Sequence, residues 1–159
     1  MSIIKHAIIS AAGMGTRLGL NLPKCLLQFS GVSIIKHQLE LLKNIEDVRV
    51  VVGFMEEDVI KAVKSIRNDV VFVRNPHYQE TSNTYSISLA TKGVKKPHIL
   101  LDGDLLINKN SFNEFINEFD GKSSLVGITK TSTDDAVYVE LNDKDEVIKF
   151  SRKIKSPHE

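Results

Sequence analysis

The stretch Ala11–Lys24, AAGMGTRLGLNLPK, decides how the rest of the chain is interpreted. It follows a short apolar run, Ala7–Ile9, and contains three glycines, one arginine, one proline and one lysine. Glycine lets backbone N–H groups approach a ligand closely because no Cβ atom stands in the way, and successive N–H groups facing one concavity bind phosphate. Arg17 and Lys24 add two positive charges. The stretch therefore predicts a phosphate-binding loop; the alternative is a glycine-rich turn with two solvated cations.

Two familiar phosphate loops do not fit this spacing. A P-loop requires G-x-x-x-x-G-K-[ST], and this stretch contains no Gly-Lys pair followed by Ser or Thr. The dinucleotide fingerprint requires G-x-G-x-x-G, but Leu18 stands where the third glycine belongs. That fingerprint also places an acidic residue at the end of the second strand, where this chain reads VVVGF. We therefore expect the loop to hold phosphate in a third way.

The same stretch resembles the signature of the sugar nucleotidyltransferase-like (NTP transferase) family, approximately A-A-G-x-G-T-R-x-x-x-x-x-P-K. Members of that family transfer a nucleoside monophosphate from a nucleoside triphosphate to a phosphorylated acceptor and release pyrophosphate. Within the family, the chain is most similar to small cytidylyltransferases that activate phosphocholine or related phospho- and phosphono-metabolites. The resemblance implies transfer of CMP from CTP, with Mg²⁺ as cofactor, for the decoration of surface polysaccharides or lipids.

The resemblance also assigns roles within the loop. Arg17 and Lys24 are the expected catalytic residues. Arg17 and the loop amides are expected to hold the β- and γ-phosphates, while Lys24 stabilises charge at the α-phosphate. The expected nucleotide-binding residues of the loop are Ala11, Ala12, Gly13, Met14, Gly15, Thr16, Arg17 and Lys24.

Composition limits the partners and the compartment. The chain has 159 residues, enough for one domain with a core. Its 21 basic and 20 acidic residues leave a net charge of +1, so neither a nucleic acid polymer nor an anionic membrane is expected as partner. Cys25 is the only cysteine, which excludes an internal disulfide and favours a reducing, cytoplasmic compartment. Its place in the apolar run CLLQF favours a packed thiol over a nucleophile.

Strand and helix signals alternate along most of the chain, which predicts an α/β fold with a doubly wound, mostly parallel, Rossmann-like sheet. Continuous apolar runs predict strands at Lys5–Ser10, Val48–Val52, Val70–Val73 and His98–Leu101. Apolar residues at the helical period predict helices from Ser33 to about Asn44, at about Glu56–Ile66, from Asn83 to about Lys92, and after a cap at Ser111. Cys25–Phe29 is expected to be a short extended segment.

The pattern changes in the last quarter of the chain. Leu125–Lys130 is predicted to be a strand. Apolar residues then alternate with polar ones up to Leu141, and the polar turn Asn142–Asp145 leads into a strand at Val147–Phe150. This predicts a β-hairpin, which we expect at the edge of the sheet. Because family members are typically longer, residues 1–159 are expected to be a single nucleotidyltransferase domain that is incomplete at its C-terminus.

Asp102-Gly103-Asp104 follows a predicted strand and is expected at the same edge of the sheet as the glycine loop, where ligands bind. Carboxylates there can hold Mg²⁺, which needs only one or two protein ligands beside substrate phosphates; an Asp-Gly turn is the alternative. The family carries Gly-Asp here, so the resemblance implies that Asp104 is the metal ligand. Asp102 is an alternative ligand or a partner in nucleotide binding.

The family's base-recognition segment corresponds to YQETSNTYSISLA in this chain. Asn83, Thr84 and Ser86 lie at a predicted helix N-terminus, where free N–H groups and short polar side chains can contact a base or ribose. Capping of that helix by Ser82 or Asn83 is the alternative. We expect Asn83, Thr84 and Ser86 to bind nucleotide.

Two other functions stay open. One is a sugar-1-phosphate nucleotidyltransferase that uses UTP, GTP or dTTP. The other is a non-catalytic nucleotide-binding module, because the family's second metal-binding aspartate has no equivalent: the remaining candidates before or inside the hairpin are Asp134, Asp135 and Asp145.

His37 and His77 have no second ligand at metal spacing, which argues against zinc. Lys130 is interpreted as a solvated lysine rather than a contact to the acceptor phosphate. The acceptor and the oligomeric state, a dimer among the options, stay open.

Overall fold

A computed structural model describes residues 4–15, 19, 21–122, 124, 126–128 and 136–154. The chain divides into two compact units, Met1–Leu125 and Val126–Glu159. Several residues named above lie outside the described residues, namely Thr16, Arg17, Leu18, Leu125, Lys130, Asp134 and Asp135. The prediction of one incomplete domain stays a prediction.

The first unit is built on a parallel four-stranded sheet. The strands of the first unit are β1 His6–Ser10, β2 Gln28–Phe29, β3 Val32–Ser33, β4 Asp47–Val52, β5 Val70–Arg74 and β6 His98–Asp102. Its helices are α1 Ile34–Leu41, α2 Glu56–Lys64, α3 Asn83–Thr91 and α4 Lys109–Asn117. The sheet has the order β5-β4-β1-β6 with every pair parallel, and β2 and β3 form a separate antiparallel pair. The α/β class with a mostly parallel sheet is therefore confirmed.

Helices cover both faces of the sheet. Ala7 and Ile9 of β1 pack into one apolar cluster with residues of α1, α2 and α4, while Ile8 packs on the opposite face with Ala90 of α3. Successive residues of a strand point to opposite faces, so a central strand covered on both sides must be apolar throughout. This is why β1 appears in the sequence as an uninterrupted apolar run.

Two local predictions are wrong in detail. The helix α4 is capped by Asn108, whose side-chain oxygen accepts hydrogen bonds from the backbone N–H groups of Asn110 and Ser111 at 2.8 and 3.4 Å. Ser111 is therefore a residue of the first turn and not the cap. The segment predicted as extended begins with a 3-10 turn at Lys24–Leu26, and only Gln28–Phe29 is a strand.

The second unit contains the predicted hairpin, formed by β7 Tyr138–Leu141 and β8 Val147–Ser151. Asn142 organises its turn, since the side-chain oxygen accepts hydrogen bonds from the N–H groups of Lys144 and Glu146. The two strands pair antiparallel with each other as a sheet of their own, so the prediction that they add to the main sheet is wrong. The predicted strand Leu125–Lys130 lies partly outside the described residues, and its residues 126–128 are not in a strand. No described helix is long and apolar enough to cross a bilayer.

Candidate active site

The carboxyl ends of the neighbouring strands β1 and β6 open into a cleft of about 400 Å³. Most of the predicted site residues line it: Ala11, Ala12, Gly13, Gly15, Lys24, Asn83, Ser86, Asp102 and Asp104. Met14 is half-buried in the loop and Thr84 is exposed on the first turn of α3, and neither is part of the lining. Residues that are far apart in the sequence are thus brought to one edge of the parallel sheet.

Lys24 and Asp104 form an ion pair at this cleft. The ammonium Nζ of Lys24 donates a hydrogen bond to Oδ2 of Asp104 at 2.7 Å, and the two side chains are 35% and 40% exposed. Gly15 lies against the Lys24 stem in a left-handed conformation, and a Cβ there would come within 2.9 Å of Lys24 Cγ. The glycine therefore lets the loop and the lysine pack closely, with the charged pair still open to solvent.

Gly103 fits the acidic turn closely against the end of β1. Its N–H donates to the carbonyl of Ser10 at 2.8 Å. A Cβ at this position would lie 2.6 Å from the Ser10 carbonyl oxygen and 3.1 Å from Cα of Ala11. Only glycine allows this approach, which places the carboxylates of Asp102 and Asp104 beside the glycine loop.

A chain of hydrogen bonds links β1, α3 and the acidic turn. The Ser10 hydroxyl donates to Oδ1 of Asn83, and Nδ2 of Asn83 donates to Oδ1 of Asp102 at 2.7 Å. Asn83 therefore orients one acidic side chain as well as lying at the cleft. Ser10 was not predicted as a site residue; its position as the last residue of the strand before the loop was the signal available.

A second network fixes the start of α3. Asn75 is 1% exposed, and its Nδ2 donates to the hydroxyls of Thr81 and Ser86 at 3.1 and 3.0 Å. Its Oδ1 accepts from the N–H of His77 at 2.9 Å. The Ser86 hydroxyl is thus engaged within the protein, although Ser86 belongs to the cleft lining. The sequence had indicated only that a strand ends near Asn75.

Cys25 belongs to the lining of the cleft but is buried and packed into the core. Burial raises the pKa of its thiol to about 12. The thiol is therefore protonated at neutral pH and is a poor nucleophile. The interpretation of Cys25 as a core residue is confirmed.

The carboxylates suit a hard divalent cation. Asp102 and Asp104 flank Gly103 and offer oxygen ligands at an exposed position, and Lys24 engages only one Asp104 oxygen. Among the described residues, no cluster of three or more His, Cys, Asp or Glu side chains could hold a metal ion alone. Mg²⁺ does not need such a cluster, because it keeps several waters and uses one or two carboxylates plus phosphate oxygens. The residues present therefore fit Mg²⁺ bound together with a phosphorylated ligand.

The fold is that of the nucleotidyltransferase family. Residues 7–155 match the family model for the MobA-like NTP transferase domain, and the chain belongs to that family. It is 35% identical over 113 residues to the choline-phosphate cytidylyltransferase of Streptococcus pneumoniae, an alignment that covers 67% of this chain and 47% of the relative.

Two solved structures share the fold. The CTP:phosphocholine cytidylyltransferase from Streptococcus pneumoniae superposes with a TM-score of 0.71 and 26% identity, covering 92% of this chain and 64% of that one. The inositol-1-phosphate CTP transferase from T. maritima gives a TM-score of 0.74 at 22% identity, covering 97% and 66%. The chain thus spans about half of the first curated relative and about two thirds of these structures.

Proposed function

We propose that this protein transfers CMP from CTP to a small phosphorylated acceptor of the phosphocholine type and releases pyrophosphate. The observation that carries the proposal is the Lys24–Asp104 pair, which faces the glycine loop in a cleft at the strand ends. The choline-phosphate cytidylyltransferase relative supports the choice of CTP and of a phosphocholine-like acceptor.

In the proposed reaction, an acceptor phosphate oxygen attacks the α-phosphorus of CTP in line. A new P–O bond forms, the bond from the α-phosphorus to the oxygen bridging to the β-phosphorus breaks, and pyrophosphate leaves with that electron pair. Such a reaction needs positioning and charge neutralisation rather than a protein nucleophile. The loop amides and Arg17 would hold the β- and γ-phosphates, and Lys24 would stabilise charge at the α-phosphate.

Asp104 would hold Mg²⁺, with Asp102 as the alternative ligand. The metal would supply neutralisation of phosphate charge and orientation of the phosphate oxygens. Asn83 would keep the Asp102 carboxylate oriented through its 2.7 Å hydrogen bond. Asn83, Thr84 and Ser86 are the proposed contacts to the base or ribose, at the N-terminus of α3.

The test is a calorimetric titration of the protein with CTP, UTP, GTP and ATP, each with Mg²⁺ and again with EDTA. A preference for CTP that requires the metal supports the proposal. A preference for UTP or GTP would instead favour a sugar-1-phosphate nucleotidyltransferase, and binding of no nucleotide would contradict the proposal.

A second measurement separates catalysis from binding. Pyrophosphate release is followed with CTP and phosphocholine, with choline as the matched acceptor that lacks the attacking phosphate. Release that depends on phosphocholine supports transfer. Tight CTP binding without release in the presence of any phosphorylated acceptor would favour the non-catalytic module.

A further inference from the structure

Gln38 is an unusual residue for its place in the core. It lies on α1, between Ile35 and Leu42 on the face that packs under the sheet, and its side chain is fully buried. Its neighbours on that face are aliphatic. Burying an amide among apolar side chains costs free energy unless the amide forms hydrogen bonds. The bonds that Gln38 forms therefore indicate what the residue does.

Both bonds go to the acidic turn of the cleft. Nε2 of Gln38 donates to the backbone carbonyls of Asp102 at 2.7 Å and Leu105 at 2.9 Å. The N–H of Leu105 also donates to the Asp102 carbonyl at 3.2 Å, which closes the turn on itself. One buried amide group thus binds both ends of the segment that carries Gly103 and Asp104.

The opposite side of the turn is held by β1, because Gly103 donates its N–H to the Ser10 carbonyl at 2.8 Å. The turn is therefore fixed from two sides, by a strand and by a helix. The same helix α1 also contacts the segment that carries Lys24: the N–H of Ile34 donates to the carbonyl of Leu27 at 2.9 Å, and Leu27 donates to the Lys24 carbonyl at 3.0 Å. Both members of the Lys24–Asp104 pair thus depend on α1.

We propose that Gln38 is a positioning residue, which holds the Asp102–Leu105 turn so that the Asp104 carboxylate meets a divalent cation and Lys24 in the cleft. This inference rests on the proposed function for the identity of the ligand. The control of the turn by the buried Gln38 amide can be tested without a nucleotide. Groups that orient a metal ligand from behind typically change metal affinity on the order of 10- to 100-fold when removed.

The test variant is Gln38→Met, which keeps an unbranched side chain of similar length and a similar helix propensity but removes both N–H donors. The matched control is Leu39→Met, the adjacent buried residue on the same helix. It introduces the same side chain without touching the turn. If Gln38→Met does not fold, Gln38→Leu replaces it.

The first readout is amide hydrogen exchange without ligand. In Gln38→Met we expect the N–H groups of Gly103 and Leu105 to exchange roughly tenfold faster, because two hydrogen bonds to the turn are lost. The amides of Val50 and Val51 in β4 should not change, and Leu39→Met should leave all four at wild-type rates. Unchanged exchange at Gly103 and Leu105 would overturn the proposal, as would failure of both Gln38 variants to fold while Leu39→Met folds.

The second readout is CTP binding with Mg²⁺ and with EDTA. In Gln38→Met the gain in affinity from Mg²⁺ should fall about tenfold, while metal-free binding should stay at the wild-type value. Faster exchange with an intact Mg²⁺ gain would mean that Gln38 only stabilises the turn, and would overturn the positioning role. If the wild-type protein binds no CTP in either condition, the proposed function fails and the role of Gln38 toward the cation fails with it, while hydrogen exchange still decides whether Gln38 holds the turn.

Discussion

At the scale of single residues, Lys24 carries the sharpest prediction. Lys24→Ala should lower the rate of pyrophosphate release on the order of 10²–10³, because it removes a positioned cation from the site of charge development. The fold should remain, since Lys24 is partly exposed and loses only its ion pair with Asp104 and the packing of its stem against Gly15. The measurement is steady-state turnover together with thermal unfolding.

Lys36→Ala is the control for Lys24→Ala, because Lys36 is an exposed lysine on α1. It should retain wild-type turnover. Near-normal turnover in Lys24→Ala would remove this lysine from the mechanism, whatever the nucleotide.

Gly103 carries a prediction about packing. Gly103→Ala places a Cβ 2.6 Å from the Ser10 carbonyl oxygen, so the acidic turn must move away from β1. Overpacking of this kind costs about 1–3 kcal/mol, and we expect urea unfolding to show that loss. Gly13→Ala is the comparison, since a Cβ there meets nothing within 4 Å and should leave the unfolding free energy near wild type. Equal stability of the two variants would contradict the close packing at Gly103.

Some residues of the site could be predicted from the sequence and others could not. Lys24 and Asp104 could be singled out because the signature and the strand end mark them. Gln38 could not, because its partners are backbone carbonyls 64 and 67 residues away. Asn75 could not either, because its hydroxyl partners Thr81 and Ser86 meet it only once the loop before α3 has folded. A glutamine inside the apolar stripe of α1 was a signal in retrospect: such a residue must find hydrogen-bond partners in the core.

At the scale of elements, a prediction concerns which residue caps α4, Asn108 as in the structure or Ser111 as the sequence suggested. Asn108→Ala should destabilise the protein by about 1 kcal/mol, since a side-chain oxygen that accepts from two free N–H groups is lost. Ser111→Ala, the substitution at the residue that the sequence suggested as cap, should change stability by less than about 0.5 kcal/mol. Chemical denaturation of both variants measures the difference, and a larger loss at Ser111 would reverse the assignment.

Elements were predicted best where burial is strongest. The central strands β1 and β4 are continuous apolar runs because both of their faces are covered, and this pattern has few alternatives. The hairpin was predicted correctly as a pair of strands, but the prediction that these strands join the main sheet was wrong. Its period-two alternation shows that the strands pair, whereas the sheet they join depends on contacts that the pattern does not contain. The ends of helices were predicted less accurately than the strands, because several polar residues compete for each cap.

At the scale of the whole molecule, the order of the strands creates the site. Because β1 lies between β4 and β6, the glycine loop after β1 and the acidic turn after β6 emerge side by side. The sequence could predict that both lie at the same edge, since the strands are parallel. It could not predict that Ser10, Asn83 and Asp102 form one hydrogen-bonded chain, because that requires the register of β1 against β6.

A group of charged side chains lies at the end of the sheet opposite the cleft, and we expect it to make the stability of the fold depend on pH. His6 and Asp47 are register partners on β1 and β4, with His6 Nδ1 2.8 Å from Asp47 Oδ2, and Arg49 Nη2 lies 3.1 Å from the same oxygen. Burial alone would raise the pKa of the Asp47 carboxyl, but hydrogen bonds from Arg49 and His6 outweigh it and lower the pKa below the ordinary 3.8. A lowered pKa means that this carboxylate stabilises the fold above the unfolded-state pKa and loses that contribution as pH falls through the folded-state value.

We therefore expect the free energy of unfolding, measured by urea at fixed salt, to fall as pH decreases below about 4. Asp47→Asn should be less stable than wild type at pH 6 and should lose less on acidification, because its amide does not titrate. Asp143→Asn, at an exposed position in the hairpin turn, should follow the wild-type curve. If Asp47→Asn and wild type lose the same free energy between pH 6 and pH 3, the acid sensitivity of the fold arises elsewhere, and the His6–Asp47–Arg49 group contributes packing rather than charge.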